Sequence, residues 1–592
     1  MSPSGTDRIH NSRPPTPPGS DVPIGRRELV VIAAPDAGLQ ALASGVRSDA
    51  GAETTSLNAV LARHGALMRP LFGLSEHRLR ANVAGAVTSD LVPDGMPALE
   101  RFYHVDAADD RLETMAAELL EHPLVEAAYV KPAGALPVAV VEEIIAAAPL
   151  NDMVPAPGDA PPATADFAAR QGYLDAAPGG IDARYAWTVP GGSGAGVRVI
   201  DCEWGWRFSH EDLLQNQGGV VAGTSSTDTN HGTAVLGEIS GDRNGLGIIG
   251  IAPDAVISAS SFNDQPTAQA IRAAADRLGP GDIILLEIHR PGPRTPNPPQ
   301  GQLGFIAIEW WPDDFAAIRY AVNKGIVVVE AAGNGFQNLD DPIYSQRPVG
   351  FPASWLNPFN VANPSSGAVM VGAGAPPPNT HGQNWGPDRS RLDFSNYGAR
   401  VDAQGWGREV TSTGYGDLQG GMNADLWYTD RFSGTSSASP IVVGAIACAQ
   451  GVLRAQGRIP LSPARARDLL RSTGSIQQDA PGRPATQRIG NRPNLRQLIA
   501  AATQTAAPWT GVQFTGSVPA SQTQCWFTFN WPAHWHVLWT VVPTTPRPGA
   551  PQVKWKVKVE RATDQFATYW ICVTNLTNQP VAIEGRYTVL GW

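Results

Sequence analysis

Near the start of the chain, apolar residues follow two alternating rhythms. Short β-rich runs (ELVVIAAP, LMRPLFG, LERFYHVDA, VEAAYVKP) are bounded by Gly, Pro or Asp, while SLNAVLARHG and RLETMAAELLEH carry apolar residues every three or four positions. The order predicts a small β-α-β-β-α-β module over residues 27–132, behind a polar, Pro-rich leader over residues 1–26. Residues 133–170 are rich in Ala and Pro and read as an exposed connector, with one short helix around Val140 to Ala148 and a natural place for a proteolytic cut. Over residues 171–502, apolar runs (GVRVID, AVISASSF, DIILLEI, GIVVVEAAG, AVMVGAG) alternate with helical segments such as PTAQAIRAAADRL. Runs that are apolar throughout fit strands covered on both faces, so the fold class is α/β, a parallel sheet between two layers of helices. Residues 508–592 hold eight of the 17 Trp among β-branched residues, which predicts a small antiparallel all-β domain.

Composition narrows the partners. A chain of 592 residues exceeds one compact core, in keeping with this division. Lys and Arg total 44 against 54 Asp and Glu, a formal charge of -10, which argues against a nucleic-acid partner. No run of 18 apolar residues suggests a membrane span. The N-terminal segment lacks the apolar stretch of a secretory signal, which leaves secretion by another route and a cytoplasmic location both open. The four Cys do not stand at metal-ligand spacing; Cys525 and Cys572 fall on two predicted strands, a placement that allows a disulfide. Asn575 opens an NLT glycosylation sequon, a pattern frequent by chance.

Chemistry concentrates in residues 171–502. GVRVIDCEWGW is a buried strand ending at Asp201, NHGTAVLGEISG places His231 at the opening of a helix, and SGTSSASPIVVGAIACAQGVL places Ser436 at the start of an apolar helix. A serine hydroxyl is a poor nucleophile until an imidazole takes its proton, and a carboxylate fixes that imidazole's tautomer and steadies its cation. These three motifs, in the order Asp, His, Ser, resemble the subtilisin-like serine protease family, peptidase S8.

The resemblance implies a subtilisin-like three-layer parallel sheet and a serine endopeptidase acting on proteins or peptides with no cofactor required for chemistry. Asp201, His231 and Ser436 are then the triad. GIVVVEAAGNG makes Asn334 the oxyanion donor beside the backbone N–H of Ser436. DIILLEIHRPGP becomes the substrate-binding edge strand, with Glu287, Ile288 and His289 along the main specificity pocket, Ala331, Ala332 and Gly333 as its opposite wall and Gly350 of GFPAS at its floor. Glu287, His289 and Glu330 allow a polar or narrowed pocket and a preference for basic residues, whereas a Gly floor equally admits large apolar side chains and the glutamates can pair internally. Asp212 and Asn244 resemble two ligands of a structural calcium, against a plain reading in which both stabilise local turns.

By the same resemblance the N-terminal module is a ferredoxin-like propeptide of the inhibitor I9 type. It would act as the enzyme's own intramolecular inhibitor, with the maturation bond somewhere in residues 133–170 and a non-inhibitory domain as the alternative. The sequence departs from the family after Asp201, where Cys202 and Glu203 replace a small hydroxyl residue and Gly. Cys202 and Cys448 read as core residues, and Glu203 and His210 as ordinary loop residues. A catalytically silent scaffold would keep the fold and lose these groups, and an α/β-hydrolase esterase would need a G-x-S-x-G elbow that is missing around Ser436.

Overall fold

The computed structural model describes residues 25–74, 76, 79, 98–138, 163–504, 509–533, 535–562 and 566–591. The leader over 1–24 and the short helix expected around Val140 to Ala148 lie outside the described residues.

In the N-terminal module, β1 (Glu28–Ala33), helix α1 (Thr55–Arg63), β2 (Leu67–Pro70), β3 (Phe102–Asp106), α2 (Leu112–Leu120) and β4 (Val125–Lys131) follow in the expected order. The four strands pair antiparallel in the order β2-β3-β1-β4, and β1 lies centrally because every one of its six side chains is buried. Leu57 and Leu61 of α1 and Leu112, Met115 and Leu119 of α2 meet Leu29 and Val31 across one sheet face. The opposite face, through Val30, Ile32, Ala127 and Tyr129, joins the apolar cluster of the main body.

The main body holds a seven-stranded sheet of β5 (Arg198–Glu203), β6 (Gln217–Ala222), β7 (Val256–Ser261), β8 (Ile283–Leu286), β11 (Val327–Ala331), β12 (Val369–Gly374) and β13 (Ala403–Trp406). They pair parallel throughout in the order β13-β12-β11-β8-β5-β7-β6. Between β8 and β11 an antiparallel hairpin is inserted, β9 (His289–Pro291) paired with β10 (Phe305–Ala307). Helices α3 (Asn230–Ser240) and α6 (Thr435–Ala455) share one apolar cluster with the sheet, and α4 (Thr267–Arg277) and α5 (Pro312–Asn323) share the other. Helix α6 is long and apolar enough to cross a bilayer by composition, yet it is buried inside the core.

The module docks on the N-termini of α4 and α5. Lys131 of β4, fully buried, reaches Asp314 (3.0 Å), Asp313, Thr267 (2.8 Å) and Glu28 (3.2 Å). Arg290 bonds Glu28 at 2.9 Å and the Pro132 carbonyl, and Tyr129 donates to Asp313 at 2.9 Å. A buried cation is tolerable only when so compensated, and three carboxylates around two cations compensate it.

The C-terminal region forms two three-stranded antiparallel sheets, one of Trp509–Val518, Val581–Gly591 and His536–Pro543, the other of Thr523–Pro532, Phe566–Asn575 and Val553–Glu560. Cys525 and Cys572 face each other in register and are disulfide-bonded. Trp531 is buried and Trp526, Trp535 and Trp539 pack on the same core, while Trp555 and Trp570 are exposed. Asn575 is only 1% exposed and its amide donates to the carbonyls of Val518, Pro519 and Gln579, so the sequon does not present a free acceptor.

Candidate active site

Strand β5 ends with two carboxylates. Side chains alternate across a strand, so Val199, Asp201 and Glu203 point to one face, while Ile200 and Cys202 enter the apolar cluster on the other. Cys202 is fully buried and its thiol is held well above its usual range by burial, a core residue. Cys448 is likewise buried, with Sγ on the Ile251 carbonyl.

The imidazole of His231, in the first turn of α3, is held by Glu203 and not by Asp201. His231 Nδ1 lies 2.9 Å and 3.1 Å from the two Glu203 oxygens. Asp201 Oδ2 instead accepts the indole N–H of Trp206 at 2.7 Å, and its carboxyl lies within hydrogen-bonding reach of that of Glu203. The reason is reach: Glu203 stands one pleat nearer the carboxyl end of β5 and its side chain is one methylene longer. The expectation that Asp201 bonds the imidazole is corrected accordingly. The two carboxyls remain neighbours; burial pushes both well above the usual range, and the Glu203 charge raises Asp201 further. Two buried carboxyls this close resist ionising together.

With Nδ1 facing the carboxylate, His231 carries its proton there and Nε2 is left without a partner. Burial lowers the imidazole to about 4. General-base catalysis needs the neutral ring, so activity rises with pH through this pKa. The acid limb of the pH–rate profile is therefore expected near pH 4, below the ordinary imidazole value of about 6.5. An acid limb at or above 6.5 would contradict this.

Ser436 is the second residue of α6, where Pro440, lacking an N–H, cannot bond back to the Ser436 carbonyl. Its Oγ faces the Glu287 carboxyl, and its backbone N–H donates to the Pro137 carbonyl at 3.3 Å. Asn334 is fixed at both ends: Oδ1 accepts from the backbone N–H and hydroxyl of Thr435 (3.0 Å each), and Nδ2 donates to Gln302 Oε1 at 3.1 Å. Glu287, fully buried, accepts from the Ser439 hydroxyl and faces Ser436; burial holds its carboxyl well above the usual range.

Ile288 and His289 continue β8 along a segment of the chain itself. Ala135 and His289 exchange both backbone bonds (3.0 and 3.1 Å), the antiparallel pattern of an added strand. Ile288 packs so closely on Gly134 that a Cβ there would stand 2.6 Å from Ile288 Cδ1. Ala331 ends β11 and Ala332 bonds the Val371 carbonyl, both buried. Gly333, in the left-handed region at φ 92°, lies against the His289 ring, which accepts the Asn334 backbone N–H at Nδ1 (3.2 Å) and meets Phe305 edge-on.

Other expectations need correction. Gly350 is not at a pocket floor: its carbonyl accepts the Ala128 N–H at 3.0 Å, and a Cβ would strike the Ala128 carbonyl, so it lies under the N-terminal module. Glu330 is buried beside Arg400 and Glu309, and Glu287 is held by Ser439, so neither presents charge for a basic side chain. Asp212 and Asn244 do not form a calcium cradle. Asn244 Nδ2 donates to Asp212 Oδ1 (2.7 Å), while Ile248 N–H (2.8 Å) and the Tyr428 hydroxyl (2.9 Å) donate to Oδ2. Burial raises Asp212 to about 7. Oxygens already engaged by N–H and O–H donors do not suit a hard cation, and among the described residues no group of three or more His, Cys, Asp or Glu is placed to hold a metal. His210 is a turn residue, bonded to the Asp212 N–H and the Trp427 carbonyl.

Two groups escaped the motif reading. Glu203 was discernible as the residue two places after Asp201 on one strand face; Gln302 sits in the inserted hairpin, whose path no local pattern announces.

A serine at a helix start, an imidazole on a carboxylate and an asparagine amide, set at the carboxyl end of a parallel α/β sheet, are the arrangement expected of a serine protease of subtilisin fold. A family model described as the subtilase family matches residues 209–491, a span that begins after β5. Subtilisin BL from Lederbergia lenta is 28% identical over 258 residues, 43% of this chain and 76% of that protein. Thermitase from Thermoactinomyces vulgaris is 28% identical over 294 residues, 47% of this chain and 81% of that protein. Fervidolysin from Fervidobacterium pennivorans, described as a keratinolytic enzyme related to subtilisin, superposes with a TM-score of 0.47 at 16% identity over 85% of this chain and 66% of that one. Residues 209–491 are thus similar to the subtilase family, peptidase S8, and the chain is a serine endopeptidase of subtilisin type.

Proposed function

We propose that Ser436 is the nucleophile and His231 its general base, with Glu203 as the carboxylate that fixes the base and Asp201 as its proton-sharing neighbour. Ser436 Oγ attacks the scissile carbonyl as its proton passes to His231 Nε2, the imidazolium is steadied by Glu203, and the proton moves on to the leaving amine. The oxyanion is received by the Ser436 N–H and by Asn334, whose amide has two N–H groups and spends one on Gln302. The chain is made as a zymogen: residues 27–132 are an inhibitory propeptide docked through Lys131, the junction lies within 133–170, the catalytic domain spans 171–502, and 508–592 form an appended β-domain. The supporting observation is that a peptide carbonyl of the chain itself, that of Pro137, already faces the Ser436 N–H.

A fluorophosphonate probe tests this reading. The processed wild type is expected to be labelled at Ser436 and to digest casein, and the Ser436→Ala protein to do neither. Labelling elsewhere, or casein digestion by Ser436→Ala, would refute it.

A further inference from the structure

We propose that the maturation bond is Pro137–Val138, and that the same geometry makes the enzyme cleave after proline and other compact residues; this rests on the zymogen reading above. The register is fixed at three points. Ala135 pairs with His289 on both backbone groups, Gln302 Nε2 donates to the Leu136 carbonyl at 3.0 Å, and the Ser436 N–H donates to the Pro137 carbonyl at 3.3 Å. Gly25 N–H adds a fourth contact, to the Gly134 carbonyl at 3.1 Å. The carbonyl bound at the nucleophile's own N–H is the one under attack, so the acyl group is that of Pro137 and the leaving amine that of Val138.

The pocket beside that carbonyl is closed by residues this chain carries on its walls. The His289 imidazole crosses from the edge strand to the opposite wall, accepting the Asn334 N–H and touching Gly333, and Phe305 of the inserted hairpin backs it. A large P1 side chain would have to displace a fully buried ring, whereas proline is compact and leaves no backbone N–H in need of an acceptor. Glycine at position 134 suits the fit, since a side chain there would oblige Ile288 to shift.

In the step itself Ser436 Oγ bonds to the Pro137 carbonyl carbon, the bond to the Val138 nitrogen breaks, and the serine proton travels through His231 to that nitrogen. Water then cleaves the ester, leaving the Pro137 carboxylate and restoring the hydroxyl.

The test uses the full chain. Intact-mass and N-terminal analysis should find a fragment beginning at Val138 in the wild type, absent from Ser436→Ala. The processed enzyme should cleave Ala-Gly-Ala-Leu-Xaa-Val-Ala-Val peptides with kcat/KM at least ~10-fold higher for Xaa Pro or Ala than for Phe or Lys. His289→Gly should narrow that ratio by raising the Phe peptide. A first new N-terminus other than Val138, or a preference for Phe or Lys in the wild type, overturns the inference while leaving the protease reading intact. Absence of any cleavage, with no fluorophosphonate labelling, overturns both.

Discussion

Glu203→Gln is expected to lower kcat by about 10⁴, close to 5 kcal/mol of transition-state stabilisation, with little change in KM. The amide cannot hold the imidazole in the tautomer that leaves Nε2 free, and it offers no charge to the imidazolium. Asp201→Asn should cost far less, about 10- to 100-fold, because the hydrogen bonds of the imidazole go to Glu203 and Asp201, which acts on it through charge, is itself held by Trp206. The comparison discriminates sharply: a loss of about 10⁴ at Asp201 with near-normal kinetics in Glu203→Gln would return the role to Asp201. Steady-state kinetics on one peptide substrate, with both variants checked for folding by circular dichroism, decides it.

Lys131→Met should weaken the docking of the N-terminal module by about 3–5 kcal/mol, or roughly 10² to 10⁴ in the equilibrium constant. The apolar side chain fills similar space but leaves Asp313, Asp314 and Glu28 with Arg290 as their remaining buried cation at the cluster. The measurement is urea unfolding of the full chain in a Ser436→Ala background, followed through a probe in the module. Lys131→Arg, which keeps the charge, should recover part of the loss. An unshifted midpoint in Lys131→Met would show that the cluster does not hold the module down.

What the sequence disclosed follows from how local each feature is. The strands of the parallel sheet are apolar throughout, and the motifs around His231, Asn334 and Ser436 are contiguous, so a family resemblance could single these residues out. Glu203 was noted as a departure but read as a loop residue because the family motif assigns no role to that position; the period-two rule for strands would have paired Asp201 with Glu203. Gly350 was misplaced because its position was read from GFPAS, whereas the docked module decides what covers it. The calcium ligands failed for another reason: a sequence shows which side chains carry oxygens, not which N–H groups have already claimed them. The N-terminal module's strand order was implied by its βαββαβ rhythm, but its grip on α4 and α5 depends on Lys131 meeting side chains about 180 residues away.

The pairing of Ala135 with His289 has a bearing on solubility as well. While the segment 134–138 is in place, the backbone of His289 is satisfied on its outward side. Once that segment departs, the cleft becomes an open sheet edge flanked by apolar Ile288, a template for any extended chain. Under the proposed maturation, the processed form would therefore carry an aggregation and self-digestion liability that the full chain does not.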